Sequence, residues 1–374
     1  MLFHVMRYKA IAETDVLADA VEAFRQRLPS DWRIAVRPPA RVAVAARREG
    51  VSGGAAPPPV PFSEIDAFLD VRGPGGVRTT LLVEVKSKLD PKDVTGVLER
   101  VRRSGSQPAL ILAPYLGPRT RELLAQARAS YADSTGNLRL DLEHPLVFIE
   151  TTGAASNPWP EERSLRSLKG PAAGRIVRAL CDFEPPYGIR ELAGRAGVSA
   201  PSVARVVDLL DREAIIQREL RGPVTAVDWA ALLRRWVQDF SFTGSNVTRT
   251  FLEPRGLEAM MAKLGKSRLK YSVTGSLAAD AVSVAPARLG AVYVRSIREA
   301  TGRLGLRAAE TGGNVVLAEP FDTVVFERTR EHNGITYAAY SQVVADLLTS
   351  PGRGPAEADE LIRWMERNER AWRS

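Results

Sequence analysis

The sequence predicts a multidomain protein, α/β plus α+β, in which an α/β domain, a compact helical domain and a closing mixed α/β domain follow one another. Three observations predict it. Strand and helix patterns alternate through the first 150 residues, three closely spaced helical patterns then surround a glycine turn, and mixed patterns return from about Ser241. A chain of 374 residues is long for one ordinary core, so two or three domains are expected. Its 45% hydrophobic and 26% charged content is that of folded globular protein.

In the first block a helix is expected from Thr14 to Leu28, where Val16, Leu17, Ala20, Val21 and Phe24 recur at helical spacing. Short strands follow near Trp32 to Val36 and Arg41 to Ala46, then a Gly/Pro-rich loop from Gly50 to Pro61. Strands at Glu64 to Val71 and Thr79 to Ser87 flank the turn Gly73, Pro74, Gly75, Gly76. Next come a helix from Pro91 to Arg103, a strand from Ala109 to Ala113 and a helix from Pro118 to Ala129. Strand-like Asn137 to Leu142 and Leu146 to Ile149 close the block.

Residues 151–170 turn polar around Pro158 and Pro160, as a linker does. In 171–240, helices are expected over Ala173 to Cys181 and Ile189 to Ala196, with Gly197 ending the second through a positive φ. Ser199 caps a third helix with Pro201 in its first turn and Val203, Val206, Val207, Leu209 and Leu210 inside. Ile215 to Arg218 and Val224 to Val227 then alternate like a small hairpin. In 241–374, "YSVTGSLAADAV" reads as strand, Gly275-Ser276 turn and helix, and "NVVLAEPFDTVVFER" as two strands broken at Pro320. A closing amphipathic helix carries Ala358, Leu361, Ile362, Trp364 and Met365, an apolar side that must be buried.

Several function classes lose support. Cys181 is alone, so neither a disulfide nor a cysteine zinc site is expected, and His4, His144 and His332 lack ligand spacing. No run of about 18 apolar residues and no signal-peptide pattern appear, so the expectation is a cytoplasmic protein with no membrane partner. The net charge of +8 is compatible with a polyanionic partner, and equally with arginine-rich codon usage. Residues 161–235 carry 13 Arg plus Lys against 10 Asp plus Glu, so the helical block is only modestly basic.

The stretch "GIRELAGRAGVSAPSVARVVDLLDREAIIQRE" resembles the winged helix-turn-helix of IclR- and MarR-type transcriptional regulators. Short residues at a recognition-helix N-terminus let the backbone approach the major groove of double-stranded DNA. On that resemblance Ser202 and Arg205 point into the groove beside the capping Ser199, also a DNA-binding residue, and Arg190, Arg195, Arg205, Arg218 and Arg221 are the cations for phosphates.

In "EIDAFLDVRGPGGVRTTLLVEVKSK", strand alternation places Asp66, Phe68 and Asp70 on one face and Ile65, Ala67 and Leu69 on the other. Glu84 and Lys86 share a face opposite Val83 and Val85. Pairing the strands as neighbours brings Asp66, Glu84 and Lys86 to one end. Two carboxylates suit a hard cation such as Mg²⁺, and a lysine can orient the attacking water. The segment resembles the restriction-endonuclease-like PD-(D/E)xK superfamily. That resemblance implies a restriction-endonuclease-like domain over 1–150, with Asp66, Glu84 and Lys86 as catalytic residues and Asp66 and Glu84 as metal ligands.

The third block resembles the C-terminal domain of AbiE-type (type IV toxin-antitoxin) antitoxins, which implies a cognate toxin or self-association as partner. Its Gly275-Ser276 pair also resembles the start of nucleotidyltransferase sites, but Asp280 stands without the second acid such sites need, so transfer chemistry is not expected. Two functions follow from the whole chain. The first is a sequence-specific DNA-binding regulator, possible autorepressor of a defence operon; the alternative is a Mg²⁺-dependent DNA endonuclease delivered by its winged helix.

Overall fold

The structure, a computed structural model, describes residues 13–38, 65–144, 147–159, 165, 167–219, 222–279, 287–309 and 311–374. The expected strand at Arg41 to Ala46, the Gly50 to Pro61 loop, Arg221 and Asp280 lie outside them. The chain divides into two compact units, Met1–Glu162 and Arg163–Ser374. Among the described residues no helix is long and apolar enough to cross a membrane.

The first unit runs α1 (Glu13–Arg25), β1 (Arg33–Arg37), β2 (Ala67–Arg72), β3 (Arg78–Val85), α2 (Val94–Ser104), β4 (Ala109–Ala113), α3 (Pro118–Gln126), β5 (Ser130–Asp133), β6 (Leu138–Leu142) and β7 (Val147–Thr151). The seven strands lie in sequence order in one mixed sheet. β1, β2 and β3 pair antiparallel, β3, β4 and β5 run parallel through the crossover helices α2 and α3, and β5, β6 and β7 return antiparallel. Side-chain alternation divides the core by face. Ala67, Leu69, Val83 and Val85 pack on the α1 side with Phe24, whereas Phe68, Leu82 and Ile111 pack on the α2 and α3 side with Leu98 and Leu124.

Two expectations need correction here. Ile65 packs with Phe68 rather than with Ala67 and Leu69, because it precedes the first paired residue and strand alternation does not govern it. β5 follows α3 within four residues and was not expected as a strand; Leu110, Ile111 and Leu112 on β4 supply the ladder that holds so short a segment.

The second unit begins with α4 (Pro171–Asp182), α5 (Ile189–Ala196), α6 (Ala200–Arg212), the hairpin β8 (Ile216–Arg218) and β9 (Val224–Val227), and α7 (Trp229–Trp236). It continues with α8 (Phe242–Ser245), β10 (Val247–Leu252), α9 (Leu257–Lys266), β11 (Tyr271–Thr274), β12 (Gly290–Val294), α10 (Ile297–Leu304), β13 (Arg307–Ala308), β14 (Val315–Glu319), β15 (Arg330–His332), β16 (Ile335–Tyr337), α11 (Tyr340–Leu348) and α12 (Gly354–Arg367). The larger sheet has the order β13-β10-β14-β12-β11-β16-β15.

One continuous core joins Ile176, Leu180, Val203 and Leu210 of the helical segment to Val292, Leu317 and Leu361 of the remainder. The cause is visible in α4. Nine of its residues are buried, so it cannot present a wet face once α5 and α6 cover one side. Gly174 sits where a Cβ would come within 2.8 Å of the Phe321 ring, which fixes how closely α4 approaches the loop after β14. The closing helix α12 buries Leu361, Ile362 and Met365 within its own unit, and Trp364 packs on Tyr340.

Thr323–Phe326 is a 3₁₀ turn and not the second strand expected after Pro320; the Asp322 carboxylate accepts the Val324 N–H and starts the turn. Gly275–Ala278 forms a 3₁₀ turn, in keeping with the turn read at Gly275-Ser276, and the helix expected after it falls largely on residues 280–286, outside the described residues.

Candidate functional site

Two places concentrate chemistry, one in each unit. In the second unit, Gly197 ends α5 at φ +63° and Ser199 caps α6, its Oγ accepting the Ser202 N–H. The Ser199 and Ser202 hydroxyls lie 2.9 Å apart. Val203, Val206, Val207, Leu209 and Leu210 are buried, so Ser199 and Arg205 face solvent and Ser202 is half-buried at the same end of the helix.

The arginines of this segment separate into two groups. Arg175 pairs with Asp322 and Glu327, Arg195 with Glu191, Arg234 with Asp359, and Arg235 with Glu213 and Asp239. Arg195 also lies over the Phe183 and Tyr187 rings. Arg218, expected to meet phosphates, reaches back from β8 to Asp208 at 2.7 Å and Asp211 at 3.4 Å, clamping the hairpin to α6. Arg190 and Arg205 are exposed and, among the described residues, have no acidic partner; Arg205 makes only a 3.3 Å hydrogen bond to the Pro201 carbonyl of its own helix. The fold thus pairs several of the segment's arginines with acids, whereas Arg190 and Arg205 stay exposed.

In the first unit, the β2–β3 ladder continues past Ala67↔Val83. The Asp66 N–H donates to the Val83 carbonyl at 3.0 Å, and the Val85 N–H donates to Asp66 Oδ2 at 2.7 Å. Asp66 thus sits beside Val85 at the same end of the strand pair as Glu84 and Lys86. Lys86 Nζ lies 2.6 Å from Glu84 Oε1. The structure adds Arg100 from α2, whose Nη1 donates to the same oxygen at 3.2 Å. Sequence reading missed this partner, because nothing local ties a helix residue to a strand 16 positions earlier.

Lys86, Lys88, Lys92 and Arg100 line a cleft of about 360 Å³ with Asp93, above Leu89, Gly96 and Val97. It opens beside the carboxyl end of β3, the side on which ligands of open α/β sheets usually bind. The lysine spacing is legible in "VKSKLDPKD" as a basic run after a strand.

The same residues test the implied Mg²⁺. A hard divalent cation needs several oxygen ligands with little competing positive charge. Here one Glu84 oxygen is held by two cations and one Asp66 oxygen by a backbone N–H. Among the described residues no group of three His, Cys, Asp or Glu is placed to hold a metal ion. The donor set does not fit Mg²⁺ without displacing Lys86 and Arg100.

No family model, no curated protein and no solved structure matches this chain.

Proposed function

We propose that the chain is a sequence-specific DNA-binding protein, a transcriptional regulator, in which α4 to α6 with the β8–β9 hairpin work as a winged helix-turn-helix. α6 is the recognition helix. The observation that carries this reading is the exposure of Arg190 on α5 and Arg205 on the Ser199-capped α6, without an acidic partner among the described residues, while Arg195, Arg218 and Arg235 are paired with acids. Such exposed cations suit phosphate oxygens or guanine edges.

The test is a salt series of binding curves on duplex fragments from upstream of the gene. A bidentate guanine contact predicts that Arg205→Ala costs about 1 to 3 kcal/mol on the preferred site and relaxes base choice there. A phosphate contact predicts equal weakening on all sequences and a salt slope lower by about one unit. Absence of duplex binding at low salt, or unchanged affinity in the Arg190→Ala/Arg205→Ala protein, rules the reading out.

The placement of Asp66, Glu84 and Lys86 at one end of the strand pair favours a second reading, metal-dependent DNA cleavage by the first unit, and the pairing of Glu84 with Arg100 opposes it. Cleavage of duplex or single-stranded DNA that needs Mg²⁺ and disappears in Asp66→Ala would establish this second reading.

A further inference from the structure

We infer that the cleft at the carboxyl end of β3 is a metal-independent seat for a phosphate group, with Lys86, Lys88, Lys92 and Arg100 as its cations. The inference stands apart from the winged-helix reading and competes with the nuclease reading.

The charge is arranged by depth. The Glu84 side chain is 3% exposed, while those of Lys86, Lys88 and Arg100 are 27%, 48% and 47% exposed, and Lys92 is exposed as well. The acid thus lies beneath the cations and fixes two of them, whereas an incoming anion meets ammonium and guanidinium groups first. Lys88 is paired with Asp90 at 3.4 Å, and Asp93 shares the cleft wall, so the seat is tempered in charge and suited to one phosphate. An ammonium has three donors and a guanidinium five, so each can meet more than one acceptor at a time.

Shape agrees with charge. Gly96, in the first turn of α2, has no atom within 4 Å of where a Cβ would stand, so a ligand can approach the helix backbone there. Leu89 and Val97 close the floor and keep the cations from collapsing into it. A divalent cation would have to separate Glu84 from both partners before it could bind, and their charges would then repel it. A phosphate can approach with Glu84 still held between Lys86 and Arg100.

The phosphate could belong to a nucleic-acid backbone or to a free anion, and competition separates the sources. The full-length chain carrying Arg190→Ala and Arg205→Ala, which silence the proposed recognition helix, is titrated with a labelled single-stranded oligonucleotide and with inorganic phosphate as competitor. We expect binding that survives EDTA, is unchanged by Mg²⁺ at matched ionic strength, and falls at least tenfold in Lys88→Glu/Lys92→Glu. An unaltered thermal melt would show that this variant is folded. Oligonucleotide binding that inorganic phosphate displaces only at high concentration marks a backbone seat; binding of inorganic phosphate alone, lost in the same variant, marks a free-anion seat. A strict Mg²⁺ requirement, cleavage lost in Asp66→Ala, or undiminished binding in the folded Lys88→Glu/Lys92→Glu protein overturns the inference. Loss of duplex binding on Arg190→Ala/Arg205→Ala alone reports on the winged helix and leaves this seat untouched.

Discussion

Glu84 in the first unit and Asp182 in the second are each buried between two cations, and the two arrangements have opposite consequences. Glu84 is held by Lys86 and Arg100, and Asp182 by Arg178 and Arg328. Around Asp182 the charges are enclosed. The Arg178 side chain is 0% exposed and divides its donors among Asp182, Gln342 Oε1 and the Val324 and Glu327 carbonyls, while the Ser341 hydroxyl meets the other Asp182 oxygen. Burial pushes the Asp182 carboxyl up, but Arg178, Arg328 and Ser341 outweigh it and hold it below its ordinary value. Around Glu84 the cations open to water and border a cleft. The same count of charges serves architecture where every donor has an internal acceptor, and is available for binding where the cations face outward.

The difference predicts unequal costs of breaking each pair. Arg178→Met strands Asp182 against Arg328 alone and leaves Gln342 and two carbonyls short of a donor, so the second unit should lose about 3 to 5 kcal/mol in denaturant unfolding. Arg178→Lys should recover only part of this, since an ammonium cannot reproduce the planar fork. If Arg178→Met unfolds at the wild-type denaturant midpoint, Asp182 is not the enclosed partner described here.

A third buried acid, Asp346, sharpens the comparison because among the described residues no cation pairs with it directly. Its oxygens accept from Thr274 Oγ1 at 2.5 Å, Tyr293 Oη at 2.8 Å and Gln342 Nε2 at 2.9 Å. Burial pushes its carboxyl from 3.8 up to about 7, and the hydrogen bonds only partly oppose the rise. The folded chain therefore keeps a proton that the unfolded chain releases above its ordinary value. This contribution leaves stability highest on the acid side and lowers it as pH rises through that interval, by about 2 to 3 kcal/mol between pH 5 and pH 7. Asp346→Asn should flatten that part of the profile. Melting wild type and variant at pH 5 and pH 8 checks it, and parallel profiles would contradict it.

These three acids also show what the sequence made legible. Ile189–Ala196, the Ser199 cap and Ala109–Ala113 appear where they were read, because caps, glycine stops and apolar periodicity are local signals. The contact of Glu84 with Lys86 was legible from strand alternation, and the nearness of Asp66 to the same end of the strands from their pairing across one turn. Arg100 on Glu84, Arg218 on Asp208 and Arg178 inside the second core were not. Each is an arginine that reads as solvated on its own helix or strand and acquires its role from elements brought close by the fold. Thr323–Phe326 failed differently: three apolar residues suggest a strand, but no strand partner lies beside them and the Asp322 cap closes a turn instead.

The smallest expected effect separates the two carboxylates most cleanly. Glu84→Gln keeps the shape of the side chain and removes its charge. Lys86 and Arg100 are partly exposed and regain hydration, so the loss in stability should stay within about 1 kcal/mol, in the range of surface pairs. Asp182→Asn should cost more, because Arg178 has no water to turn to. The two variants should differ in binding as well. With its buried acid gone, the first unit's cleft becomes more positive, and Glu84→Gln should hold a single-stranded oligonucleotide several-fold more tightly at low salt, an advantage that fades as screening grows. Asp182→Asn should leave that oligonucleotide's affinity unchanged. If Glu84→Gln instead destabilises the chain as much as Asp182→Asn, the Glu84 cluster is architectural, and the contrast between an enclosed and an outward-facing ion cluster does not hold.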